Sequence, residues 1–305
     1  MPGERWAVVV NPTKFEDLAA LRQRVLAGAA ENNRPEPLWY ETTADDPGAG
    51  QARDAVAAGA RVVCPLGGDG TVRAVASGLV ESGVSLGLLP AGTGNLLARN
   101  LGLSVDDLET ALTVALTGRD VAIDVGEVRW DDGDPDIFLV MCGMGLDAEI
   151  MAEVDEDMKR RMGWWAYVLS GVGAILRLGF AVRVRAGGDR LVNQHARTVL
   201  VANCGELTGG LQLVPDAEVD DGLLDVVVAS PRSLSGWLAI ALHFVSATRR
   251  GHGPLVHLQD REISVRTAEP VAGQLDGDAV GEKQLMTCRV RPGALTVRLP
   301  QLAPH

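Results

Sequence analysis

Basic residues are in short supply: 28 Lys and Arg stand against 40 Asp and Glu, a formal charge of −12. That balance speaks against a nucleic-acid partner, because gripping a phosphate backbone needs a basic face. It also leaves any docking on anionic lipid to local basic clusters. Cysteine is scarce as well. Cys64, Cys142, Cys204 and Cys288 are far apart, each in an apolar stretch, and they show no metal-ligand spacing. They read as buried free thiols of a reducing cytoplasm. The five histidines do not cluster and take no role. Long apolar runs are missing. Trp6–Val10 is too short for a signal peptide. Met162–Leu176 is the longest apolar segment, is broken by three glycines, and falls short of a membrane span. A soluble protein is expected, without internal repeats or low-complexity tracts. Its 47% hydrophobic and 22% charged content argues against disorder, and 305 residues suffice for two domains with their own cores.

What the chain does have is a pair of matched glycine turns. Arg61–Leu66 reads as a short buried strand, Gly67-Gly68-Asp69-Gly70-Thr71 as a turn, and Val72–Val80 as a helix with Val72, Val75, Ala76 and Leu79 on one face. Ser85–Leu89 reads as another strand, followed by Pro90-Ala91-Gly92-Thr93-Gly94-Asn95 and the helical Leu96–Asn100. Glycines at a strand-to-helix junction let main-chain N–H groups approach an anion without an intervening Cβ, and the helix N-terminus adds partial positive charge. Thr71 suits an N-cap or a hydroxyl donor to phosphate. Asp69, an acid beside a phosphate site, makes sense with Mg²⁺ between them. Neither turn has the Lys of a Walker loop or the spacing of G-x-G-x-x-G. One glycine turn is usually structural; two, with Thr and Asp at their tips, point to nucleotide phosphates.

The surrounding pattern is in two parts. Residues 5–10 predict a strand, Phe15–Ala30 a helix with Leu18, Leu21, Val25 and Leu26 inward, Leu38–Thr42 a strand and Gln51–Ala58 a helix. Such alternation, continuing to Leu108–Leu116, predicts a parallel doubly wound sheet, whose ligands bind at the carboxyl ends of the strands. Beyond about residue 120 the texture turns to strands: 121–129, 137–142, 181–185, 198–202, 224–229, 262–266 and 287–291, with helical insertions near 147–161, 164–178 and 234–248. A sandwich-like second domain follows from that pattern. Asp131–Asp136 reads as a solvated hairpin loop.

These glycine turns resemble those of the diacylglycerol kinase catalytic family, which includes soluble bacterial lipid kinases and sphingosine kinases. The resemblance extends through Asn11-Pro12, Gly143–Ala148, Pro215-Asp216-Ala217, Asp220–Asp225 and Leu275-Asp276-Gly277-Asp278, in the family's order and over nearly the whole chain. It implies an α/β fold: a Rossmann-like N-terminal domain over 1–120 and a β-sandwich-like lipid-substrate domain over 121–291. The last strand, within 292–305, would return to the first domain. ATP, Mg²⁺ and a membrane-derived lipid are the implied partners, with peripheral membrane contact and homo-oligomerisation both compatible.

Residue by residue, the resemblance implies that Gly67, Gly68, Asp69, Gly70 and Thr71 cradle ATP phosphates and that Gly92, Thr93 and Asn95 complete the site. Thr42 would contact the nucleotide, with Thr43 as the alternative and capping an equal explanation of the pair. Many relatives carry Asp-Gly-Glu near the end, the Glu serving as base. Here the matching residue is Asp278, one methylene shorter but of similar acidity, with Asp69 as the other candidate base. A plain Asp-Gly hairpin is the competing explanation. A structural Mg²⁺ would take the Asp221 carboxylate and the carbonyls of Glu218 and Leu223, against a plain turn there. Tryptophan-bearing segments 162–169 and 237–242, flanked by Arg160, Arg161, Arg177, Arg249 and Arg250, would form a lipid pocket or else ordinary core. The expected activity is an ATP- and Mg²⁺-dependent lipid kinase. Its rivals are a soluble-substrate kinase resembling NAD kinases and a non-catalytic nucleotide or lipid sensor.

Overall fold

An apolar, β-branched run makes the first strand. Trp6–Val10, WAVVV, is buried at every position because it has strand neighbours on both sides and helices on both faces. The computed structural model describes residues 4–92, 94–145, 179–187, 190–207, 211–212, 214, 217–231 and 255–301. The chain divides into two units, residues 1–123 with 293–305, and residues 124–292.

The first unit runs β1 (Trp6–Val10), α1 (Leu18–Glu31), β2 (Leu38–Glu41), α2 (Ala49–Ala57), β3 (Val62–Gly67), α3 (Asp69–Leu79), β4 (Ser85–Leu86), β5 (Leu89–Pro90), α4 (Leu96–Asn100) and α5 (Leu108–Thr117), then enters β6 (Arg119–Trp130). Every pairing among β1 to β5 is parallel, in the order β2-β1-β3-β4 with β5 beside the end of β3. Trp6, Val8 and Val10 pack with Leu21 and Val25 of α1 and Leu112 and Leu116 of α5. The alternate residues Ala7 and Val9 face the other side, where α2 lies against α3. Thr296 and Val297 pair in parallel with Ser85 and Leu86, so the end of the chain adds a strand to this sheet.

The second unit contains β7 (Pro135–Phe138), β8 (Met141–Met144), β9 (Phe180–Ala186), β10 (Arg190–Ala196), β11 (Thr198–Ala202), β12 (Glu206–Leu207), β13 (Leu211–Gln212), β14 (Leu224–Ala229), β15 (Leu255–Asp260), β16 (Glu262–Leu275) and most of β17 (Asp278–Leu299). Its registered pairings are antiparallel. The long strand β16 belongs to two strand groups: Ile263–Thr267 pair with β9, and Gly273–Leu275 pair with β8, on which β11, β14 and β15 follow. Register shifts between Arg266 and Val271, and again after Gly273, let the strand change partners. Inward residues of both groups, among them Val184, Val199, Val226, Val265 and Met286, bury one common core.

Three local expectations are corrected. The helix after the first glycine turn begins at Asp69 rather than Val72, so Asp69, Gly70 and Thr71 form its first turn. The single strand expected over 137–142 is two, β7 and β8, because the Asp276 carboxylate takes the amides of Leu139, Val140 and Met141. The strand expected at 287–291 and the last strand expected within 292–305 are one continuous β17. The helices expected within 147–178 and 234–248, with their tryptophans and arginines, lie outside the described residues.

Candidate active site

Parallel register gathers the candidate residues of the first unit along one edge. Val10 is level with Glu41 on β2 and with Leu66 on β3, and Gly67 with Pro90 on β5. Asn11, Thr42, Gly68 and Ala91 therefore leave their strands side by side, at the carboxyl ends where such sheets bind ligands.

The helix N-termini around that edge are not treated alike. Asp17 accepts from Ala20 N–H and caps α1. Asp46 accepts from the N–H groups of Gly48 and Gly50 at the start of α2. Asp107 accepts from Thr110 N–H and caps α5. The short α4 receives its carboxylate from a distance, Leu96 N–H donating to Asp69 Oδ1 at 2.7 Å. Only α3 has no such acid among the described residues. Its N-cap is Gly68, with no side-chain cap hydrogen bond, and a side chain added at Gly68 would meet nothing within 4 Å. Of the two roles open to Thr71, the N-cap position is occupied by Gly68. Thr71 is the third helical residue, buried against Gly67, where an added Cβ would come within 2.6 Å of the Thr71 hydroxyl. An uncapped helix start offers main-chain N–H donors and partial positive charge to an anion.

The second glycine turn is built onto the first. A Cβ at Gly92 would stand 2.7 Å from the Gly68 Cα, and one at Gly94 would stand 2.4 Å from Asp69 Oδ2. The turns touch through bare glycine, and the Asp69 side chain bridges them. Asn95, the left-handed N-cap of α4 (φ 48°), folds its carboxamide back on Gly92. Oδ1 accepts from Gly92 N–H at 3.1 Å, and Nδ2 donates to Gly92 O at 2.7 Å. Asn95 thus shapes the turn with both ends of its amide. Thr93 lies outside the described residues. Thr42 and Thr43 differ in their contacts. The Thr43 hydroxyl accepts from Asp46 N–H. The Thr42 side chain is buried and its hydroxyl has no hydrogen bond among the described residues.

In the second unit, Asp276 and Gly277 form the positive-φ tip (47° and 92°) of the β16–β17 hairpin, with Leu275 paired to Asp278. The Asp276 carboxylate is buried and accepts three main-chain N–H groups, from Leu139 at 3.0 Å and from Val140 and Met141 at 2.9 Å. That anchor fixes the tip and leaves Asp278 exposed at the first residue of β17. Gln274 Oε1 adds a bond from Gly277 N–H at 3.0 Å. Sequence reasoning gave Asp276 no role of its own, and it overlooked Asn203. The Asn203 Nδ2 ties the carbonyls of Asp124 and Leu139 together in the same buried region.

Around the expected metal position, Asp221 Oδ1 accepts from Leu223 N–H at 2.8 Å and Oδ2 from Gln259 Nε2 at 3.0 Å. Partial burial, then the negative charges of Asp225, Asp124 and Glu218, hold its carboxyl above the usual range despite the Leu223 bond. A hard cation fits that surplus of negative charge. No group of three or more His, Cys, Asp or Glu side chains among the described residues is placed to hold a metal, so main-chain carbonyls and water must complete any such site.

All four cysteines are buried and free. Burial pushes the Cys64 thiol up to about 12 and raises Cys142 and Cys204 as well, which removes these three as nucleophiles at neutral pH. No described helix is long and apolar enough to cross a membrane.

Comparison with known proteins converges on one family. Residues 5–128 match the diacylglycerol kinase catalytic domain, and residues 140–299 match the YegS C-terminal NAD kinase beta sandwich-like domain. A Pseudomonas fluorescens protein named "Probable lipid kinase YegS-like" is 32% identical over 93% of this chain and 92% of its own length. A Pseudomonas aeruginosa protein of the same name is 32% identical over 91% and 90%. Among solved structures, a diacylglycerol kinase from Bacillus anthracis superposes with a TM-score of 0.76 at 22% identity, over 97% of this chain and 96% of that one. An Archaeoglobus fulgidus NAD kinase in complex with ATP shares the fold at a TM-score of 0.53 and 12% identity, over 97% and 94%.

Proposed function

We propose that this chain, which belongs to the diacylglycerol kinase catalytic family and is a kinase, transfers the γ-phosphate of ATP to a hydroxyl of a diacylglycerol-like or sphingoid lipid. The observation that carries the reading is the uncapped start of α3, open beside a second glycine turn in a unit whose other helices begin under carboxylates. The main-chain N–H groups of Gly68, Gly70 and Thr71 hold phosphate oxygens, and the Thr42 hydroxyl, without a hydrogen bond among the described residues, contacts the nucleotide from the end of β2. Gly92 and Asn95 keep the second turn in place, and Thr93 belongs to it by sequence. Bound Mg²⁺ supplies charge neutralisation at the phosphates, and Asp69 is the residue that would hold it there. A separate structural Mg²⁺ would sit on Asp221 with the carbonyls of Glu218 and Leu223. Asp278 accepts the proton of the attacking hydroxyl, on a hairpin tip that Asp276 keeps rigid.

The test is transfer of labelled γ-phosphate from Mg-ATP to a panel of detergent-dispersed lipids, with NAD in the same assay. Label in one lipid class is the expected result. Label in NAD alone overturns the lipid assignment, and ATP binding with no transfer at all makes the chain a sensor. In the same assay Asp278→Asn should lower turnover by roughly 100- to 10,000-fold, the range of general-base catalysis, with ATP affinity nearly unchanged. An equal loss of ATP binding would make Asp278 structural. The cation at Asp221 is read by melting. Its raised carboxyl contributes stability when protonated, and that contribution is lost as pH rises through the raised value. In EDTA Asp221→Asn should therefore melt above the wild type at neutral pH, and the difference should shrink as pH falls toward the carboxylate range. At neutral pH Mg²⁺ should raise the melting temperature of the wild type and not of Asp221→Asn. Identical melts with and without Mg²⁺ would leave a plain turn.

A further inference from the structure

The outer face of β9, β10 and β16 gathers positive charge on a chain of formal charge −12. Along β9 the residues alternate, Val182, Val184 and Ala186 in the core and Ala181, Arg183 and Arg185 exposed. On β16, Ile263, Val265 and Thr267 are buried and Arg266 is exposed. Register sets Arg266 directly opposite Arg183, and on the other side sets Leu191 opposite Arg185. Leu191, 48% exposed, is the one large hydrophobic residue left exposed among the described residues.

Like charges directly opposite on paired strands repel, at a Cβ separation of about 5 Å. No carboxylate relieves this group among the described residues; Arg183 donates only to the Asn193 amide oxygen, at 3.1 Å. Three acids of β6, its following turn and β16 have partners of their own. Glu262 pairs with Arg289 at 3.5 Å and Glu127 with Arg291 at 3.8 Å. Asp131 Oδ1 accepts the amides of Gln284 and Leu285.

We propose that this sheet face docks on an anionic phospholipid bilayer, with Arg183, Arg185 and Arg266 at the lipid phosphates and Leu191 entering the interface. The inference rests on the lipid reading above and adds the place where the protein meets its substrate's membrane. The charge of the whole chain does not oppose it, because screening confines each charge to about 8 Å at physiological ionic strength, so the local face decides. Guanidinium groups suit the task, since their planar fork matches phosphate oxygens. A single exposed Leu beside them adds shallow burial without a long apolar segment.

The experiment is co-sedimentation of the full chain with vesicles of phosphatidylcholine alone and of phosphatidylcholine mixed with phosphatidylglycerol, at low and high salt. The wild type should sediment with the anionic vesicles at low salt and be released at high salt. Arg183→Ala/Arg185→Ala/Arg266→Ala should lose on the order of 100-fold in vesicle affinity, from the usual contribution of each basic residue at an anionic surface. Leu191→Ser should lose only a few-fold, as expected for one side chain partly withdrawn from water. The control Arg22→Ala/Arg53→Ala/Arg61→Ala changes net charge equally on the other unit and should keep its affinity. A wild type that stays in the supernatant, an equal loss in the control, or an unaffected triple variant overturns the docking face. Vesicle binding that persists while the triple variant changes oligomeric state would assign the face to a second copy instead. Sedimentation needs no turnover, so a failed kinase assay and a failed docking face are read apart.

Discussion

Helices α3 and α5 lie in the same unit, have 11 and 10 residues, and bury one face each against the same sheet. They differ at the N-terminus. Asp107 closes α5, its side chain accepting from Thr110 N–H at 3.1 Å and from the Thr110 hydroxyl at 2.6 Å. Gly68 leaves α3 open. The cap on α5 stabilises the fold, whereas its absence on α3 gives up that stabilisation and presents donors to a ligand. Asp69, the first residue of α3, accepts from Leu96 N–H on α4. One carboxylate thus keeps the second turn closed and stands in the first turn of the open helix.

The sharpest way to break this contrast is at Asp69. Asp69→Asn keeps an oxygen for Leu96 N–H while removing the charge, so the fold should survive with turnover down at least about 100-fold, the cost of losing one preorganised electrostatic group. Asp69→Ala should show the same loss of turnover and, in addition, a melting decrease corresponding to roughly 1 kcal/mol for the uncapped α4. Near-normal turnover in Asp69→Asn would reduce the residue to a link between the turns.

A smaller effect is expected from making α3 resemble α5. The Gly68 backbone (φ −85°, ψ −174°) is extended and open, so a side chain fits without strain. Gly68→Asp would supply the missing cap. Melting should rise or hold, by up to about 1 kcal/mol of capping, while ATP affinity falls by roughly tenfold or more because a carboxylate occupies the phosphate position. Isothermal titration with ATP and a thermal melt read both on one sample. Unchanged ATP affinity would mean that phosphates do not bind at this helix end.

Much of this is legible in the sequence. The continuous apolar runs of β1 and β3, the inward face of α3 and the two glycine turns each follow from local pattern, because their causes lie within a few residues. The start of α3 differs from the expectation because Gly68, Asp69 and Gly70 look like loop. An acid in a first turn is nonetheless a helix-start signal, and that clue was available. Strands β10 and β15 went unread, since RLVNQHA and LVHLQD mix polar residues into what should alternate cleanly. The break between β7 and β8 could not be read at all. Its cause, Asp276, lies 135 to 137 positions away in sequence. The same holds for the Asp69–Leu96 bond, 27 positions apart, which turned two similar motifs into one construction. Motifs announce which chemistry a chain is built for; which of their atoms remain available for it is decided by long-range partners.

The least effect is expected at the capped helix, and it serves as the internal control. Asp107 is exposed, and the Thr110 hydroxyl, followed by the Thr110 amide, holds its carboxyl below the usual aspartate range. A lowered carboxyl contributes stability above its unfolded value and loses it as pH falls through the lowered one. Asp107→Ala should therefore melt slightly earlier than the wild type at neutral pH, and the difference should shrink as the buffer is taken into the acid range below 3.8. ATP affinity and turnover should not change, because α5 begins under its own acid and presents nothing to a ligand. If instead Asp107→Ala weakened ATP binding as much as Gly68→Asp, the two helix ends would be coupled. The open start of α3 would then not be the feature that distinguishes the site.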